Sequence, residues 1–374
     1  MKSLRNLLVV VAVVLAACGG DGAGTTTAGG TETTAGPEVT TGVLIPIRLQ
    51  LQWSTQAQFA GYFAAIEQGF YKDAGLDVTI LEGGVDIVPQ PVLAAGGAEF
   101  GLAWVPKALV SREQGADIVN IGQVFQRSGT LEVAWADSGI TEPADWDGKR
   151  IGTWGFGNEF ELTAAFEKYD VTPSEIIQQP FDMSLLLNDE LDAAQAMTYN
   201  EYAQVLEQEN PDTGELYTPE DLAVIDFNEI GTAMLQDAVW AEATWLADNE
   251  ETAQAFLKAS FQGWIYCRDN PDACVEIVLD RGSVLGASHQ AWQMNEINAL
   301  IWPSPGGIGV MDQALWDQTI EVAVGQRVIT AEPDADAYRT DLAEAAVAEL
   351  ESEGVDVTGD SFQKTTVTLN PGGE

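Results

Sequence analysis

Residues 49–87 read LQLQWSTQAQFAGYFAAIEQGFYKDAGLDVTILEGGVDI. Apolar and polar residues alternate from Leu49 to Trp53, as a half-buried strand requires. Phe59, Tyr62, Phe63, Ile66 and Phe70 then return at helical spacing, Gly69 and Gly75 bracket a turn, and Leu76 to Leu81 alternate again. A strand–helix–strand unit of this length places its elbows at the carboxyl ends of parallel strands, where open α/β sheets bind ligands. The first elbow holds Gln52, Trp53, Ser54, Thr55, Gln56 and Gln58, with amides, hydroxyls and a large ring but no charge. Such a set suits a flat, neutral, hydrogen-bonding ligand better than an ion.

Strands and helices continue to alternate in both directions from this unit. Phe100–Trp104 reads as a short buried strand, Val105–Glu113 as a helix and Ile118–Phe125 as a strand. Further on, Ile151–Trp154 is a strand, Gly155 to Glu159 its elbow and Phe160–Tyr169 a helix. A helix over 185–191 and a small-residue strand lead to Thr198-Tyr199-Asn200-Glu201-Tyr202, and 222–228 returns as a strand. Beyond Asp237 the pattern is helical. This alternation predicts an α/β fold of two lobes, each a mostly parallel sheet flanked by helices. The expected boundaries are 43–135 for the first part of lobe one, 136–235 for lobe two and 236–360 for the helical return to lobe one. Residues 361–374, rich in Thr, Gly and Glu, are expected to fray.

The amino end has a different character. Lys2 and Arg5 precede the apolar run Leu7–Leu15, and Leu15-Ala16-Ala17-Cys18 follows. Residues 1–17 therefore read as a secretion signal. The final four residues resemble the bacterial lipobox, which implies lipidation of Cys18 and anchoring by acyl chains alone. Residues 18–42, almost entirely Gly, Thr, Ala, Glu and Asp, read as a disordered tether with a reach on the order of 25–30 Å. The formal charge of −42 argues against nucleic acid, whose phosphates demand clustered Lys and Arg. It also disfavours anionic solutes unless a local pocket overrides the field.

Cys267 and Cys274 flank Asn270-Pro271, a helix-to-helix corner. In an oxidising compartment they are free to bond if their Cα atoms approach within ~7 Å, a question the sequence leaves open. Gly155-x-Gly157 is a weak nucleotide signal, without a third glycine at the fingerprint spacing or a phosphate-gripping lysine. His289, the sole histidine, lies in a mostly polar helical segment and reads as a surface residue. Trp146, Trp240, Trp245, Trp264, Trp292, Trp302 and Trp316 read as packing groups.

Several motifs occur together in order: TQAQFAGYFAAIEQGFYKDAGLDV, EGG, AEFGLAW, QVFQRSG, GTWGFGNEFE and AAQAMTYNEY. Across residues 45–330 they resemble bacterial extracytoplasmic solute-binding proteins of the ThiY and SsuA kind, grouped with thiamine-pyrimidine synthases of yeast. The resemblance implies a type II periplasmic-binding-protein fold with two crossover strands. It also implies delivery of a solute to the permease and ATPase subunits of an ABC importer, by a monomer without a cofactor. Formylated aminopyrimidines are the implied ligands, with riboflavin or a sulfonate as alternatives. The cleft residues carried over are Trp53, Gln58, Gly84, Trp104, Trp154, Asn158, Glu159, Tyr199, Asn200 and Glu201. Trp104 reads equally as core or pocket wall, and Glu159 equally as a ligand group or a helix-dipole partner. The relatives' synthase chemistry depends on a cysteine-rich iron motif and on active-site histidine and lysine. No clustered cysteines occur here and no histidine falls in the expected cleft, so the expectation is a binding protein, not an enzyme. A tethered sensor or adhesin with the same fold is a third reading.

Overall fold

Isoleucines and leucines at alternate positions bury one face of the first strand. Ile47, Leu49 and Leu51 lie in the core while Ile45 faces out. In the computed structural model, which describes residues 43–374, this strand is β1 (Ile45–Gln50), and it pairs in parallel with β2 (Leu76–Leu81) along its whole length. The expected leader, Cys18 lipidation and tether fall outside the described residues. β3 (Phe100–Trp104) lies parallel on the other side of β1, and β4 (Ile118–Gln123) closes the sheet beyond an inserted strand. The inserted strand is β10 (Asp237–Glu242), antiparallel to both neighbours, and the order is β2-β1-β3-β10-β4.

The second half repeats this plan. β5 (Thr130–Trp135) runs antiparallel between β8 (Ala194–Met197) and β9 (Leu222–Asp226). β6 (Arg150–Thr153) and β7 (Glu175–Gln178) pair in parallel, and a bridge from Ile151 to Ala193 joins them to β8. The combined order is β7-β6-β8-β5-β9. Each half thus receives its antiparallel strand immediately after the chain crosses from the other half. β5 belongs to the second sheet, so the crossing comes before it and the expected boundary at 135 is too late. The cause is long-range: nothing local in TLEVAW says which sheet it joins.

Helices cover both sheets. Gly263 in the helix Glu250–Asp269 is crossed closely by the helix Ala60–Glu67: a Cβ there would lie 2.0 Å from the Gly61 carbonyl oxygen. Cys267 and Cys274 are disulfide-bonded across the corner into Pro271–Asp280, with Cα atoms 5.4 Å apart. Trp146, Trp240, Trp264, Trp302 and Trp316 are buried packing groups, whereas Trp245 and Trp292 are half-buried. The helix expected over 185–191 is shorter, Ser184–Leu187.

The carboxyl-terminal residues do not fray. Thr365 donates from its backbone and hydroxyl to Asn295 Oδ1, Asn370 N donates to Ser288 Oγ, and Gly372 N donates to the Glu207 carbonyl. The polar composition that reads as disorder here finds partners on the helix Ala287–Ile301 and at Glu207. No described helix is long and apolar enough to cross a membrane.

Candidate ligand-binding cleft

β1 ends at Gln50, so Gln52, Trp53 and Gln58 all lie in the elbow that follows, at the carboxyl edge of the sheet. The elbow is held against the one after β2. A Cβ on Gly83 would sit 2.4 Å from the Leu51 carbonyl oxygen and the Trp53 nitrogen, so only glycine permits this approach. Gly84 follows at the rim, where its carbonyl accepts from Ile87 N.

The β3–β10 register sets Asp237 opposite Trp104. Asp237 is the centre of the first-lobe wall. Its Oδ1 accepts from Gln52 Nε2 at 2.6 Å and Trp104 Nε1 at 2.8 Å, and its Oδ2 accepts from Gln58 Nε2 at 2.9 Å. Gln58 Oε1 in turn accepts from Gln56 Nε2. Burial pushes the Asp237 carboxyl up to about 6, against the pull of its three donors and of Lys107. Lys107, in the helix Val105–Glu113, holds its ammonium 5.0 Å from the Trp104 ring centroid. Burial pulls it down to about 8, while Glu159 and Asp237 oppose that shift.

The second-lobe wall begins where β6 ends. Trp154 is buried, its backbone N–H donates to Gln195 Oε1, and its indole Nε1 has no hydrogen-bond partner among the described residues. Asn158 Nδ2 folds back onto the Gly155 carbonyl, which turns Oδ1 toward the Lys107 ammonium at 2.8 Å. This contact crosses from one lobe to the other. Glu159 Oε2 accepts from Gly157 N and braces the glycine turn. The ring of Tyr199 lies edge-on to Phe125, and its hydroxyl is raised by burial and by Asp237 and Glu201.

Asn200 and Glu201 are occupied internally. Glu201 accepts from Met197 N and Asn200 Nδ2, and Asn200 Oδ1 lies 3.0 Å from His289 Nε2. His289 Nδ1 is 2.7 Å from Glu207 Oε1. The expected surface histidine is therefore buried, at 1 % exposure, between the helix Ala287–Ile301 and the second lobe. Its polar partners, Glu207 and Asn200, lie 82 and 89 positions away in the chain, which is why local polarity misled. Trp292 Nε1 reinforces the same junction by donating to the Thr198 carbonyl.

Phe181, in the loop after β7, joins the two walls. Its ring is 4.9 Å from that of Trp53 and 6.3 Å from that of Trp154, nearly parallel to the latter at 18°. Away from these rings, a cavity of about 10 Å³ is lined by Trp104, Gly157, Asn158 and Gln236. A larger hollow, about 430 Å³, lies on the outer face of the first lobe beside Phe70, Lys258 and Glu349. It contains none of the cleft rings.

The crossovers themselves are tied together. Gln236 Oε1 accepts from Gly129 N, and its amide nitrogen donates to Ser128 Oγ and Thr130 Oγ1. Glu161 accepts from Ser128 Oγ with one oxygen and from Met234 N with the other. Burial raises this carboxyl to about 7.

Trp53, Gln58, Trp104, Trp154, Asn158 and Tyr199 thus line or brace the junction. Gly84 stays at its rim, and Glu159, Asn200 and Glu201 are engaged within the second lobe. Sequence reading missed Asp237, Lys107 and Phe181. A signal existed for the first two: each is the single charge in an apolar run, MLQDAVW and WVPKALV. Among the described residues no group of three or more His, Cys, Asp or Glu is arranged to hold a metal ion.

Comparison with known proteins gives a consistent set. The family described as NMT1/THI5 like matches residues 56–274. A formylaminopyrimidine-binding protein of Halalkalibacterium halodurans is 23 % identical over 75 % of this chain and 79 % of its own length. The riboflavin-binding protein RibY of Chloroflexus aurantiacus is 23 % identical over 89 % of this chain and 96 % of its own. A 4-amino-5-hydroxymethyl-2-methylpyrimidine phosphate synthase of Aspergillus parasiticus is 22 % identical over 63 % and 70 %. Among solved structures, a periplasmic sulfonate-binding protein SsuA of Methylobacillus flagellatus superposes with a TM-score of 0.60. It covers 87 % of this chain and 99 % of that one at 14 % identity. The fold is that of the periplasmic binding proteins.

Proposed function

Because this chain belongs to the NMT1/THI5-like family, we propose that it is the extracytoplasmic solute-binding component of an ABC importer, taking a planar nitrogen heterocycle between its lobes. A formylaminopyrimidine is the first choice of ligand. The observation that carries this is the ring junction: Phe181 meets Trp53 of the first lobe and Trp154 of the second, beside the amides of Gln52 and Gln58. A base-like ring stacked on such a side chain is worth ~1–3 kcal/mol. A ligand that touches both lobes favours their closure by its differential contacts.

Binding without chemistry is favoured by the placement of the usual catalytic groups. Both nitrogens of the sole histidine face acceptors, Glu207 and Asn200, and Cys267 and Cys274 are bonded to each other. A sulfonate is the second reading, favoured by one observation, the ammonium of Lys107 at the junction. Thermal denaturation with formylaminopyrimidine, riboflavin, an alkanesulfonate and amino acids separates these. At a hundredfold excess over Kd a true ligand adds about 2.7 kcal/mol to stability. A shift with the sulfonate alone would sink the heterocycle assignment.

The proposal places the protein outside the cytoplasmic membrane, held by acyl chains on Cys18. Release of a Cys18→Ser variant into the medium is the expected result, and unchanged retention contradicts the anchor.

A further inference from the structure

We propose that Phe181 is a tethered competitor for the ring slot: it fills the place of a planar ligand between Trp53 and Trp154 and must swing out before one binds. The inference rests on the reading of this junction as a site for a planar ring. Three observations carry it. First, Phe181 contacts the rings of both lobes, Trp53 at 4.9 Å and Trp154 at 6.3 Å, so it supplies to each wall the aromatic contact a ligand would supply. Second, the Phe181 ring lies nearly parallel to that of Trp154, at 18°, the orientation a stacked planar ligand would take. A ring sandwiched at contact distance needs about 7–8 Å between the two outer rings.

Third, the segment that carries Phe181 is built to pivot. Gln179 is pinned to the sheet edge, its Nε2 donating to the Gln195 carbonyl and its Oε1 accepting from Gln195 N, each at 2.9 Å. Met183 is buried in the second-lobe core. Between these anchors Pro180, Phe181 and Asp182 are all exposed. The side chain of Asp182 caps the next helix by accepting from Ser184 N, so the pivot is bounded on that side too. The Phe181 ring itself packs at a tilt of 58° against Trp53 and nearly parallel to Trp154.

A ligand that offers only a flat face therefore exchanges one aromatic contact for another and gains little. Net affinity must come from what Phe181 lacks, the groups that pair with amides. The competitor lowers the apparent affinity of every planar ring by the fraction of time the slot is open.

The test is Phe181→Ala, with Phe181→Leu as a bulk-retaining control, titrated with formylaminopyrimidine and with riboflavin. Both probes are expected to bind the alanine variant about threefold to tenfold more tightly. The gain must lie in the association rate, with dissociation unchanged, because the competitor acts before the ligand arrives. Weaker binding with faster dissociation would make Phe181 a wall of the bound state and overturn the proposal, as would unchanged affinity. A second measurement needs no ligand. Acrylamide quenching of tryptophan fluorescence must rise in Phe181→Ala, and the rise must vanish when Trp53→Phe and Trp154→Phe are added together. If neither probe binds the wild type yet quenching rises, the competitor stands and the heterocycle reading falls. If quenching does not rise, the competitor falls whatever the protein binds.

Discussion

The two walls of the cleft are made of similar residue types and are built in opposite ways. On the first lobe the polar groups converge on one centre: Gln52, Gln58 and Trp104 donate to Asp237, and Lys107 reaches across to Asn158. On the second lobe the rings of Trp154 and Phe181 carry no hydrogen bond, and the buried Thr198 hydroxyl and Trp154 indole nitrogen have no partner among the described residues. One wall is fixed by a buried carboxylate before any ligand comes. The other keeps part of its bonding capacity, at Thr198 and Trp154, unspent. Preorganisation on one side reduces the ordering that binding requires, while unpaired groups on the other give a hydrogen-bonding ligand something to satisfy.

The strongest way to break this comparison is Asp237→Asn. The amide keeps the shape but turns an NH₂ toward donors and leaves Lys107 with Glu159 as its remaining counter-charge. A loss of about 3–5 kcal/mol is expected, the range for breaking a buried charged partnership, measured by denaturant unfolding. A loss below 1 kcal/mol would mean that the first wall is no more fixed than the second.

Next in size is the pH dependence of the hinge between the walls. Glu161, fully buried, has a carboxyl raised from its ordinary 4.5 to about 7. The folded state therefore binds that proton more tightly than the unfolded state. Its contribution is complete below pH 4.5 and is lost as pH rises through about 7, on the order of 3 kcal/mol across the window. Asp237, raised from 3.8 to about 6, acts with the same sign at the lower end. Glu161→Gln should flatten the upper part of the fall, from about pH 5 to 7, in stability measured against pH. An undiminished slope would assign it to other groups.

The smallest effect is expected on the second wall. Trp154→Phe removes an indole nitrogen that has no partner, so stability should drop by about 1 kcal/mol or less, while affinity for a hydrogen-bonding heterocycle falls. Equal losses in stability for Asp237→Asn and Trp154→Phe would erase the distinction.

Much of this arrangement was legible locally. β2, β3 and the helix Val105–Glu113 begin and end where Gly, Pro and apolar spacing place them. β1 starts four residues earlier than Leu49 because Pro46 disguises its first half. That half lacks a β3 partner, which is where a residue without an N–H is tolerated. The elbows were legible too, and with them Trp53, Gln58, Trp104 and Trp154. What sequence could not reveal were partnerships across long separations. Gln52 and Asp237 are 185 residues apart, His289 and Asn200 are 89 apart, and neither segment alone carries a sign of the other. The same limit hid the docking of the carboxyl-terminal residues and the sheet to which β5 belongs.

The exchange of antiparallel strands bears on how the chain is made. β3 and β4 share no ladder; the strand that joins them, β10, is synthesised only after the entire second sheet. A nascent first half therefore carries an open seam in the middle of its sheet until the last crossover has emerged. The usual order, in which amino-terminal domains fold as units during synthesis, is closed to this protein. Its first lobe must wait for its second.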